Sequence, residues 1–377
     1  MDSNSDKCGI TIIVPNYNSS LFLSKLLESI NLSEGIDRLP EVLVVDDSNT
    51  DEAAATQNLC NKYGANYLWC EGNVAKKRNF GVEKATNTIV LFTDSDCELS
   101  PKTILEHLKL GNTDSEIGGM LGLIEFTGPE NWMWSVVERT GFLGAFSFAR
   151  RMKFAPWGVT ANLSIKRKVF LKVNGFDESF LQAPGGEDVE LGLRINKSGY
   201  KIYCNPNAKI FHTRNTWNTL GRMFTRVFGY GRAHFHVIIK HMDQVGIEYP
   251  RLGFIILFTG LLLTLISIIM SQFFPIVNYI IFILVVMGVQ ASLILLLEKR
   301  NFRYLLQEML ANGLDLVYEV GLIFESLRNK DLRGIWLKMI YAEKQLINER
   351  TRKIIQAWSV LVGFLILIIV SIIWGII

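Results

Sequence analysis

One segment of this chain carries no charged residue over its whole length, and it constrains the fold more than any other feature. It covers residues 252–297, which at about 1.5 Å per residue would make a helix much longer than one crossing of a hydrocarbon core about 30 Å thick. The segment must therefore fold back, and the polar, turn-forming residues 271–278 (SQFFPIVN) are the expected reversal point. We predict membrane helices at about 252–270 and 276–297, with a third at 354–377.

The composition supports a membrane region of this kind. Hydrophobic residues make up 49% of the 377 residues and the mean hydropathy is +0.23, which is too apolar for one ordinary soluble domain. A pair of buried core helices is the alternative, but such helices rarely lack charge over so long a run.

A net charge of +3 without a basic tract gives no indication of nucleic-acid binding. The five cysteines show no metal-ligand spacing and are expected to be reduced and structural.

Basic residues flank the predicted membrane helices on one side. Lysine and arginine concentrate on the cytoplasmic side of membrane proteins, which places residues 1–250 and 298–353 on that face and the C-terminus on the opposite one. The first residues, MDSNSDKCG, are polar and acidic, so no cleavable signal peptide is expected. The flanking basic residues are Arg251, Lys299, Arg300, Arg303, Arg350, Arg352 and Lys353.

The part before the membrane region alternates short β-branched runs with helical patterns, which is typical of a mostly parallel sheet covered by helices. The runs ITIIVP, EVLVVDD, ANYLWC and NTIVLFTDSD are predicted strands, and LFLSKLLESI and AKKRNFGVEKA are predicted helices. Two strands end in acidic pairs, Asp46 with Asp47 and Asp94 with Asp96. Because ligands of open α/β sheets bind at the carboxyl ends of the strands, we expect these carboxylates in one crevice.

The sequence Asp94-Ser95-Asp96 places two carboxylates on the same side of an extended segment. A shared cation relieves their repulsion, and a hard divalent ion such as Mg²⁺ or Mn²⁺ prefers oxygen ligands. The same spacing also occurs in solvated turns that bind nothing, so the spacing alone leaves both interpretations open.

Several segments follow one another in a particular order along residues 8–231. They are PNYN (residues 15–18), Asp46-Asp47, AKKRNFGVEKA, Asp94-Ser95-Asp96, GVTANLSIKRKVFLKVNGFDESF and GGEDVELGLRINKSGY. In this order the chain closely resembles the family 2 glycosyltransferases, which are inverting enzymes of the GT-A fold. The resemblance implies an α/β GT-A domain that uses a nucleotide-sugar donor and a divalent metal, Mg²⁺ or Mn²⁺.

The resemblance also implies roles for individual residues. Asp96 would be the principal metal ligand, with Asp94 beside it and His212 as a third ligand, although a lone histidine is more often structural. Asp188 matches the catalytic base of the family. The residues expected to bind the donor are Pro15, Tyr17, Asp46, Asp47, Lys77, Arg78 and Asp94.

Glycosyl transfer with inversion itself requires a residue such as Asp188, independently of the resemblance to the family. Transfer with inversion needs a carboxylate within hydrogen-bond reach of the acceptor hydroxyl, opposite the leaving diphosphate. Asp188 follows the glycine-containing loop APGG and opens the predicted helix DVELGLRINKSG. The alternative is that Glu187 and Asp188 only favour a helix N-terminus electrostatically.

Between Asp188 and the membrane region the sequence reads TLGRMFTRVFGYGRAHF. Processive polysaccharide synthases of this family carry a Gln-x-x-Arg-Trp signature there, and its absence argues against a polymer-threading synthase. The arginines of this stretch are interpreted as cations that face a diphosphate or lipid headgroups. The expected acceptor or diphosphate contacts are Glu187, Trp157, Arg222, Arg226 and Arg232.

Two further segments have the composition of membrane-surface elements. Residues 128–158 mix aromatic and basic side chains, which fits either a segment at the membrane interface or a core helix followed by a basic loop. Residues 298–353 carry apolar residues at helical spacing, and they either lie on the membrane or pack beneath the catalytic domain.

The sequence therefore predicts an integral membrane glycosyltransferase with its catalytic domain on the cytoplasmic face. It would move a sugar from a nucleotide-sugar donor to a lipid-linked polyprenyl-phosphate or polyprenyl-diphosphate glycan. The alternatives are a polyprenyl-phosphate monosaccharide synthase and a non-catalytic scaffold of a glycan-assembly complex. The predicted parts are a GT-A domain at 1–235, a connector at 236–251, two membrane helices within 252–297, interfacial helices at 298–353 and a third membrane helix at 354–377.

Overall fold

The computed structural model describes residues 9–180, 185–247, 251–270, 274–340 and 354–366. They form two compact units: unit 1 holds the described residues of Met1–Pro129 and Phe142–Thr216, and unit 2 those of Glu130–Gly141 and Trp217–Ile377. Parts of several predicted segments lie outside the described residues. These parts are residues 1–8, residues 183–184 of the APGG loop, residues 248–250 of the connector, residues 271–273 of the reversal, residues 341–353 with Arg350, Arg352 and Lys353, and residues 367–377 of the third membrane helix.

Unit 1 is built around one sheet, in which nine strands pair among the described residues. The strands are β1 (Ile10–Asn16), β2 (Glu41–Asp46), β3 (Asn66–Trp69), β4 (Ile89–Phe92), β5 (Cys97–Leu99), β6 (Ile117–Thr127), β7 (Phe154–Ala155), β8 (Leu163–Lys166) and β9 (Lys201–Thr213). Their order is β3-β2-β1-β4-β8-β6-β9-β5, with β7 on β9. The neighbours among β3, β2, β1 and β4 are parallel, as are β6 and β9, and the other pairs are antiparallel. The expected parallel α/β arrangement is present as part of a mixed sheet.

Helices cover both faces of this sheet. The helices of unit 1 are α1 (Ser20–Asn31), α2 (Thr50–Tyr63), α3 (Val74–Lys84), α4 (Thr103–Leu108), α6 (Phe148–Arg151), α7 (Arg167–Lys172) and α8 (Glu187–Lys197). Side chains alternate across a strand, so Ile12 packs with α1, α2 and α4 while Ile13 packs with α3, α7 and α8. The sheet is therefore buried on both faces, and ligands have access to it at the strand ends.

Unit 2 is mainly helical. Its elements are α5 (Trp132–Val137), α9 (Leu220–Lys240), α10 (Leu252–Met270), α11 (Phe274–Leu297), α12 (Leu305–Arg328), α13 (Arg333–Trp336), the strands β10 (Val245–Ile247) and β11 (Leu337–Met339), and α14 (Ile354–Ile366). Helices α9 and α12 can approach closely because each has a glycine opposite a backbone carbonyl group of the other. A Cβ atom at Gly231 would collide with the carbonyl of Tyr318, and one at Gly321 with the carbonyl of Phe228.

One helix of unit 2 is long and apolar enough to cross a membrane. Within α11, residues Val277–Leu297 have a mean hydropathy of 2.9. The apolar parts Leu252–Leu265 and Ile354–Ile366 coincide with the other two predicted membrane helices but are shorter within the described residues. The chain thus has one candidate span in the part described, and the membrane region of three helices stays a prediction.

Candidate active site

Polar residues gather where β1, β2 and β4 end. The sheet register places Pro15 opposite Val45 and Asn16 opposite Asp46, and Asp94 follows the end of β4 by two residues. Because these strands are parallel, their carboxyl ends lie at the same edge of the sheet. The predicted convergence of the two acidic strand ends follows from this register.

Asp46 is fully buried and is held by donors from three parts of unit 1. Its Oδ1 accepts hydrogen bonds from Asn16 Nδ2 at 2.9 Å and Ser48 Oγ at 2.5 Å. Its Oδ2 accepts one from the hydroxyl of Tyr67 at 3.2 Å. Burial and the nearby Asp46 carboxylate raise the pKa of Tyr67 to about 12, so this hydroxyl remains a donor. Asp46 therefore fixes the end of β2 from inside the protein.

Asp47 lies nearer the surface and pairs with the buried Lys77. The Asp47 carboxylate accepts a hydrogen bond from the backbone N–H of Gly72 at 3.1 Å and another from Lys77 Nζ. Lys77 Nζ also donates to the backbone carbonyl of Asn16 at 2.7 Å and lies 5.6 Å from the ring centre of Tyr17. The Tyr17 side chain is 63% exposed. The ammonium group thus joins β1, β2 and α3 beneath an exposed aromatic ring.

Arg78 connects the Asp94 turn to the start of α8. One guanidinium nitrogen donates to Asp94 Oδ1 at 3.0 Å, and another donates to Glu187 Oε1 at 3.0 Å. The other oxygen of Glu187 accepts a hydrogen bond from the N–H of Gly185 at 3.0 Å. The side chains of Arg78 and Glu187 are buried, whereas Asp94 is partly exposed. We call this arrangement the Asp94–Arg78–Glu187 bridge.

Asp188 lies in the first turn of α8, next to this bridge. Its Oδ1 accepts a hydrogen bond from the N–H of Val189 at 2.8 Å. Burial, together with the neighbouring charge of Glu187, raises the pKa of Asp188 to about 7, against the opposing effect of Arg78. A carboxylate with a pKa near neutrality is suited to accept a proton and to release it again.

Asp96 lies beside His212 because β5 pairs with the end of β9. The register places Cys97 opposite His212, and His212 Nε2 lies 3.5 Å from Asp96 Oδ1. The hydroxyl of Thr216 donates to Asp96 Oδ2 at 2.9 Å, which fixes the carboxylate. Asp94 is not a member of this cluster among the described residues, since the cluster consists of Asp96, Cys97 and His212.

Two of the three residues in this cluster offer ligand atoms that suit a hard divalent cation. His212 Nδ1 lies 3.1 Å from the carbonyl oxygen of Thr213, and because that oxygen can only accept, Nδ1 carries the proton and Nε2 is the ligating nitrogen. Such a bond is usual for a histidine that binds metal. Burial and the nearby aspartates raise the pKa of the Cys97 thiol, and a hard Mg²⁺ or Mn²⁺ ion prefers oxygen and nitrogen donors to sulfur. Asp96 and His212 are therefore the candidate ligands.

The remaining predicted contacts lie elsewhere in each unit. In unit 1, the ring of Trp157 packs edge-on against Phe148, with ring centres 5.6 Å apart. In unit 2, the guanidinium of Arg226 lies 4.0 Å from the ring centre of Trp217. Arg232 Nε donates to the buried Glu325 at 2.6 Å, and Arg222 is exposed. Arg232 therefore ties α9 to α12.

Comparison with known families identifies the sheet-forming part of the chain. Residues 11–164 match the model described as Glycosyl transferase family 2. Residues 11–164 are therefore similar to the family 2 glycosyltransferases. Residues 146–216 match a second model, described as N-terminal domain of galactosyltransferase, and this second range includes Asp188 and His212.

Curated proteins that are similar to this chain match it at low sequence identity. The O-antigen biosynthesis protein RfbC of Myxococcus xanthus is 26% identical over 54% of this chain and 17% of its own length. Validoxylamine A glucosyltransferase of Streptomyces hygroscopicus subsp. limoneus is 26% identical over 50% of this chain and 48% of its own. The chain therefore spans about half or less of these two relatives.

A relative of more similar length comes from Methanococcus voltae. It is named dolichyl N-acetyl-alpha-D-glucosaminyl phosphate 3-beta-D-2,3-diacetamido-2,3-dideoxy-beta-D-glucuronosyltransferase, and it is 23% identical over 68% of this chain and 81% of its own. Among solved structures, the mannosyltransferase PcManGT from Pyrobaculum calidifontis with GDP-Man and Mn²⁺ is 15% identical. That likeness covers 98% of this chain and 88% of PcManGT, with a TM-score of 0.48.

Four residues that hold the carboxylates of Asp46 and Asp96 in place were not assigned a role from the sequence. Asn16 and Tyr67 bind Asp46 from neighbouring strands, Ser48 binds it from the following turn, and Thr216 binds Asp96. Asn16 belongs to the PNYN segment, so its motif was a signal. Thr216 carries no such signal, because its contact with Asp96 depends on the pairing of β5 with β9.

The Asp94–Arg78–Glu187 bridge should be worth a large part of the stability of unit 1. Replacing Arg78 with Met leaves two facing carboxylates without their shared cation, and losing one partner of a buried ion pair costs about 3–5 kcal/mol. Lys84→Met is a matched control on the same helix, because Lys84 is exposed and its ammonium group contacts the exposed Glu83 and the ring of the partly exposed Phe80. Urea unfolding of both variants measures the difference. A loss no larger for Arg78→Met than for Lys84→Met would show that the bridge is not structural.

Proposed function

We propose that this protein is a membrane-anchored, inverting glycosyltransferase that moves one sugar from a nucleotide-sugar donor to a hydroxyl of a lipid-linked glycan at the cytoplasmic face. The observation that carries the proposal is the Asp94–Arg78–Glu187 bridge. It joins the aspartate turn at the sheet edge to the helix turn that carries Asp188, so a candidate base and a candidate diphosphate site belong to one connected structure.

The donor would bind along the carboxyl edge of β1, β2 and β4. Tyr17 is exposed there and can contact the nucleotide, while Lys77 and Asp47 hold the strand ends beneath it. Asp46 supports this edge from the interior. A Mg²⁺ or Mn²⁺ ion held by Asp96 and His212 would neutralise negative charge on the departing diphosphate.

Asp188 would act on the acceptor. It takes the proton from the acceptor hydroxyl while the hydroxyl oxygen forms a bond to the anomeric carbon of the sugar. The bond from that carbon to the nucleotide diphosphate breaks at the same time, and the diphosphate leaves with the electron pair. Attack opposite to the leaving group inverts the anomeric carbon. The raised pKa of Asp188, about 7, suits a base that must later release the proton.

The membrane anchor supports a lipid-linked acceptor. The apolar helix α11 belongs to the same chain as the family 2 domain, and anchoring a donor-binding domain at a membrane is useful when the acceptor is itself in the bilayer. The Methanococcus voltae relative is named for a dolichyl phosphate-linked acceptor. We propose the same class, a polyprenyl-phosphate or polyprenyl-diphosphate glycan, with a catalytic part at 1–235, a connector at 236–251, membrane helices within 252–297 and at 354–377, and interfacial helices at 298–353.

Mass spectrometry of lipid-linked glycans tests this function in cells. Cells that lack the protein should accumulate a lipid-linked glycan that is one sugar shorter than the product of normal cells. Restoring the wild-type gene should restore the longer glycan, whereas restoring Asp188→Asn should not. An unchanged set of lipid-linked glycans would contradict the proposed acceptor class.

Reporter fusions test the proposed topology. With three crossings, a reporter placed after Ile377 should lie on the opposite side of the membrane from one placed before Met1, because an odd number of crossings exchanges sides. A pair of reporters active only inside or only outside the cell measures this directly. Two reporters on the same side would mean that one predicted helix does not cross.

A further inference from the structure

We propose that unit 2 has a second membrane contact beside the apolar helix α11. The strands β10 and β11 with helix α13 form a surface that rests in the headgroup layer of a membrane rich in anionic lipid. This inference depends on the membrane anchoring in the proposed function. It specifies which part of the proposed interfacial segment 298–353 meets the membrane, namely α13 and β11, and adds β10 to it. We call this surface the ribbon surface, and its exposed apolar residues are Met242, Ile247, Leu332, Trp336 and Ile340.

The ribbon surface has a defined inner and outer side. β10 and β11 pair antiparallel, with Val245 opposite Met339 and Ile247 opposite Leu337. Met339 is buried, whereas Ile247 is 86% exposed. The guanidinium of Arg251, at the start of α10, donates to the carbonyl of Leu337 at 2.8 Å. The ribbon is therefore fixed to the first turn of an apolar helix, and it presents its outward side chains from a rigid position.

The exposed apolar area continues from the ribbon onto α10. The ring of Trp336 packs edge-on against Phe254 of α10, with ring centres 5.3 Å apart. The next turns of α10 expose Leu257, Phe258, Leu261, Leu262 and Leu265. Contiguous apolar surface of this extent marks an interaction site. Tryptophan at the end of an apolar helix is typical of the boundary between hydrocarbon and headgroups.

Helix α10 connects this surface to the candidate membrane span. The hydroxyl of Tyr279 in α11 donates to the carbonyl of Ile256 in α10 at 2.9 Å, and Phe282 and Val286 of α11 belong to the same buried cluster as Ile256. When α10 and α11 enter a bilayer as a pair, the exposed side of α10 faces the lipid. The ribbon then lies at the level where α10 begins.

The charge around the ribbon surface indicates which kind of partner it binds. Residues 240–247, 251–254 and 328–340 contain six basic and two acidic residues. Arg333 pairs with Asp331, and Arg328 lies 3.7 Å from the buried Glu325. Basic residues near an anionic membrane surface are attracted to it. A second copy of this chain docked on the same surface would bring like charges together, which favours anionic headgroups as the partner. The basic residues are Lys240, Arg251, Arg328, Lys330, Arg333 and Lys338.

Depth-dependent fluorescence quenching tests the ribbon surface in the full-length protein. Ile247→Cys, made in a Cys8→Ser background and labelled with an environment-sensitive dye, is reconstituted into two sets of vesicles, with lipids brominated either near the headgroup or along the acyl chain. The four cysteines of the described residues are buried and do not compete for the dye. Leu284→Cys, exposed on α11, is the membrane control, and Leu21→Cys, exposed on α1, is the aqueous control. We expect quenching and a blue shift at 247 and 284 and neither at 21.

The other outcomes separate this inference from the proposed function. Quenching at 284 with none at 247 would overturn the ribbon surface and leave the anchor intact, whereas no quenching at either position would contradict the anchor as well. Quenching at 247 should be stronger in anionic than in zwitterionic vesicles, and equal quenching would contradict the charge argument. Protection of the label from iodide without lipid quenching would assign the surface to a second copy and overturn the proposal.

Discussion

Asp188→Asn should lower turnover by at least about two orders of magnitude while nucleotide-sugar binding changes little. Asparagine keeps the shape of the side chain but cannot accept the proton of the acceptor hydroxyl, and general-base catalysis typically contributes about 10²–10⁴-fold. Because the donor does not need this proton transfer to bind, its binding constant should survive. Steady-state kinetics and donor titration on the purified protein measure the two effects separately.

Two competing views of Asp188 predict different results. If Asp188, in the first turn of α8, only favours the helix N-terminus electrostatically, Asn should give near-normal turnover and lose about 0.3–1 kcal/mol of stability. If the acceptor is a lipid phosphate that is already ionised, loss of the base should have a small effect. Asp51→Asn is a matched control, since Asp51 lies in the first turn of α2 and is exposed. Activity of Asp188→Asn within a few-fold of that control would refute the assignment of the base.

The same substitution should make the protein more stable at alkaline pH. With a pKa of about 7 in the folded state and about 4 when unfolded, Asp188 binds more proton in the folded state between these values. The free energy of unfolding therefore falls as pH rises from about 4 to 7. Asn does not ionise and avoids this loss. The Tm difference between Asp188→Asn and wild type should grow from pH 4 to pH 8, and a constant difference would contradict the raised pKa.

Asp96→Ala should make donor binding insensitive to divalent cations and lower turnover by at least about 10²-fold. The substitution removes the carboxylate that lies beside His212 and that Thr216 fixes. Titration with Mn²⁺ followed by electron paramagnetic resonance measures binding of the ion without any need for turnover. We expect wild type to bind Mn²⁺ and Asp96→Ala to bind it much more weakly.

A neighbouring substitution provides the control for Asp96. Cys97→Ala removes the third member of the cluster, whose thiol is buried and has a raised pKa, and it should leave Mn²⁺ affinity nearly unchanged. Equal Mn²⁺ binding by wild type and Asp96→Ala would contradict the assigned ligand. A large loss in Cys97→Ala would show that the thiol, and not the carboxylate, is the essential donor.

The strand pattern and the edge of the sheet could be predicted because they depend on local sequence. The strands containing Ile12, Val44 and Leu91 are almost completely buried and mostly apolar. Each ends in polar residues or is followed by them, and these residues lie at a common edge because the strands are parallel. The charge-free segment likewise needed no tertiary information, although only α11 reaches the length of a crossing within the described residues.

The partners of the acidic residues could not be predicted, because each depends on pairing between distant segments. Asp46 is enclosed by Asn16 and Tyr67 of the strands on either side of it. The spacing of Asp94 and Asp96 suggested one shared cation, yet Asp94 bonds to Arg78 and Asp96 lies beside His212. The proposed roles of these residues stay predictions.

The most direct test of the proposed reaction is transfer of labelled sugar from a nucleotide-sugar donor into lipid. The purified protein is incubated with Mn²⁺, a panel of radiolabelled nucleotide sugars and a polyprenyl-linked glycan fraction, and the products are separated by organic extraction. We expect label in the lipid fraction for one donor, dependent on Mn²⁺ and absent with Asp188→Asn. Label that never enters the lipid fraction, or that enters it equally with Asp188→Asn, would contradict a base-catalysed transfer to a lipid-linked acceptor.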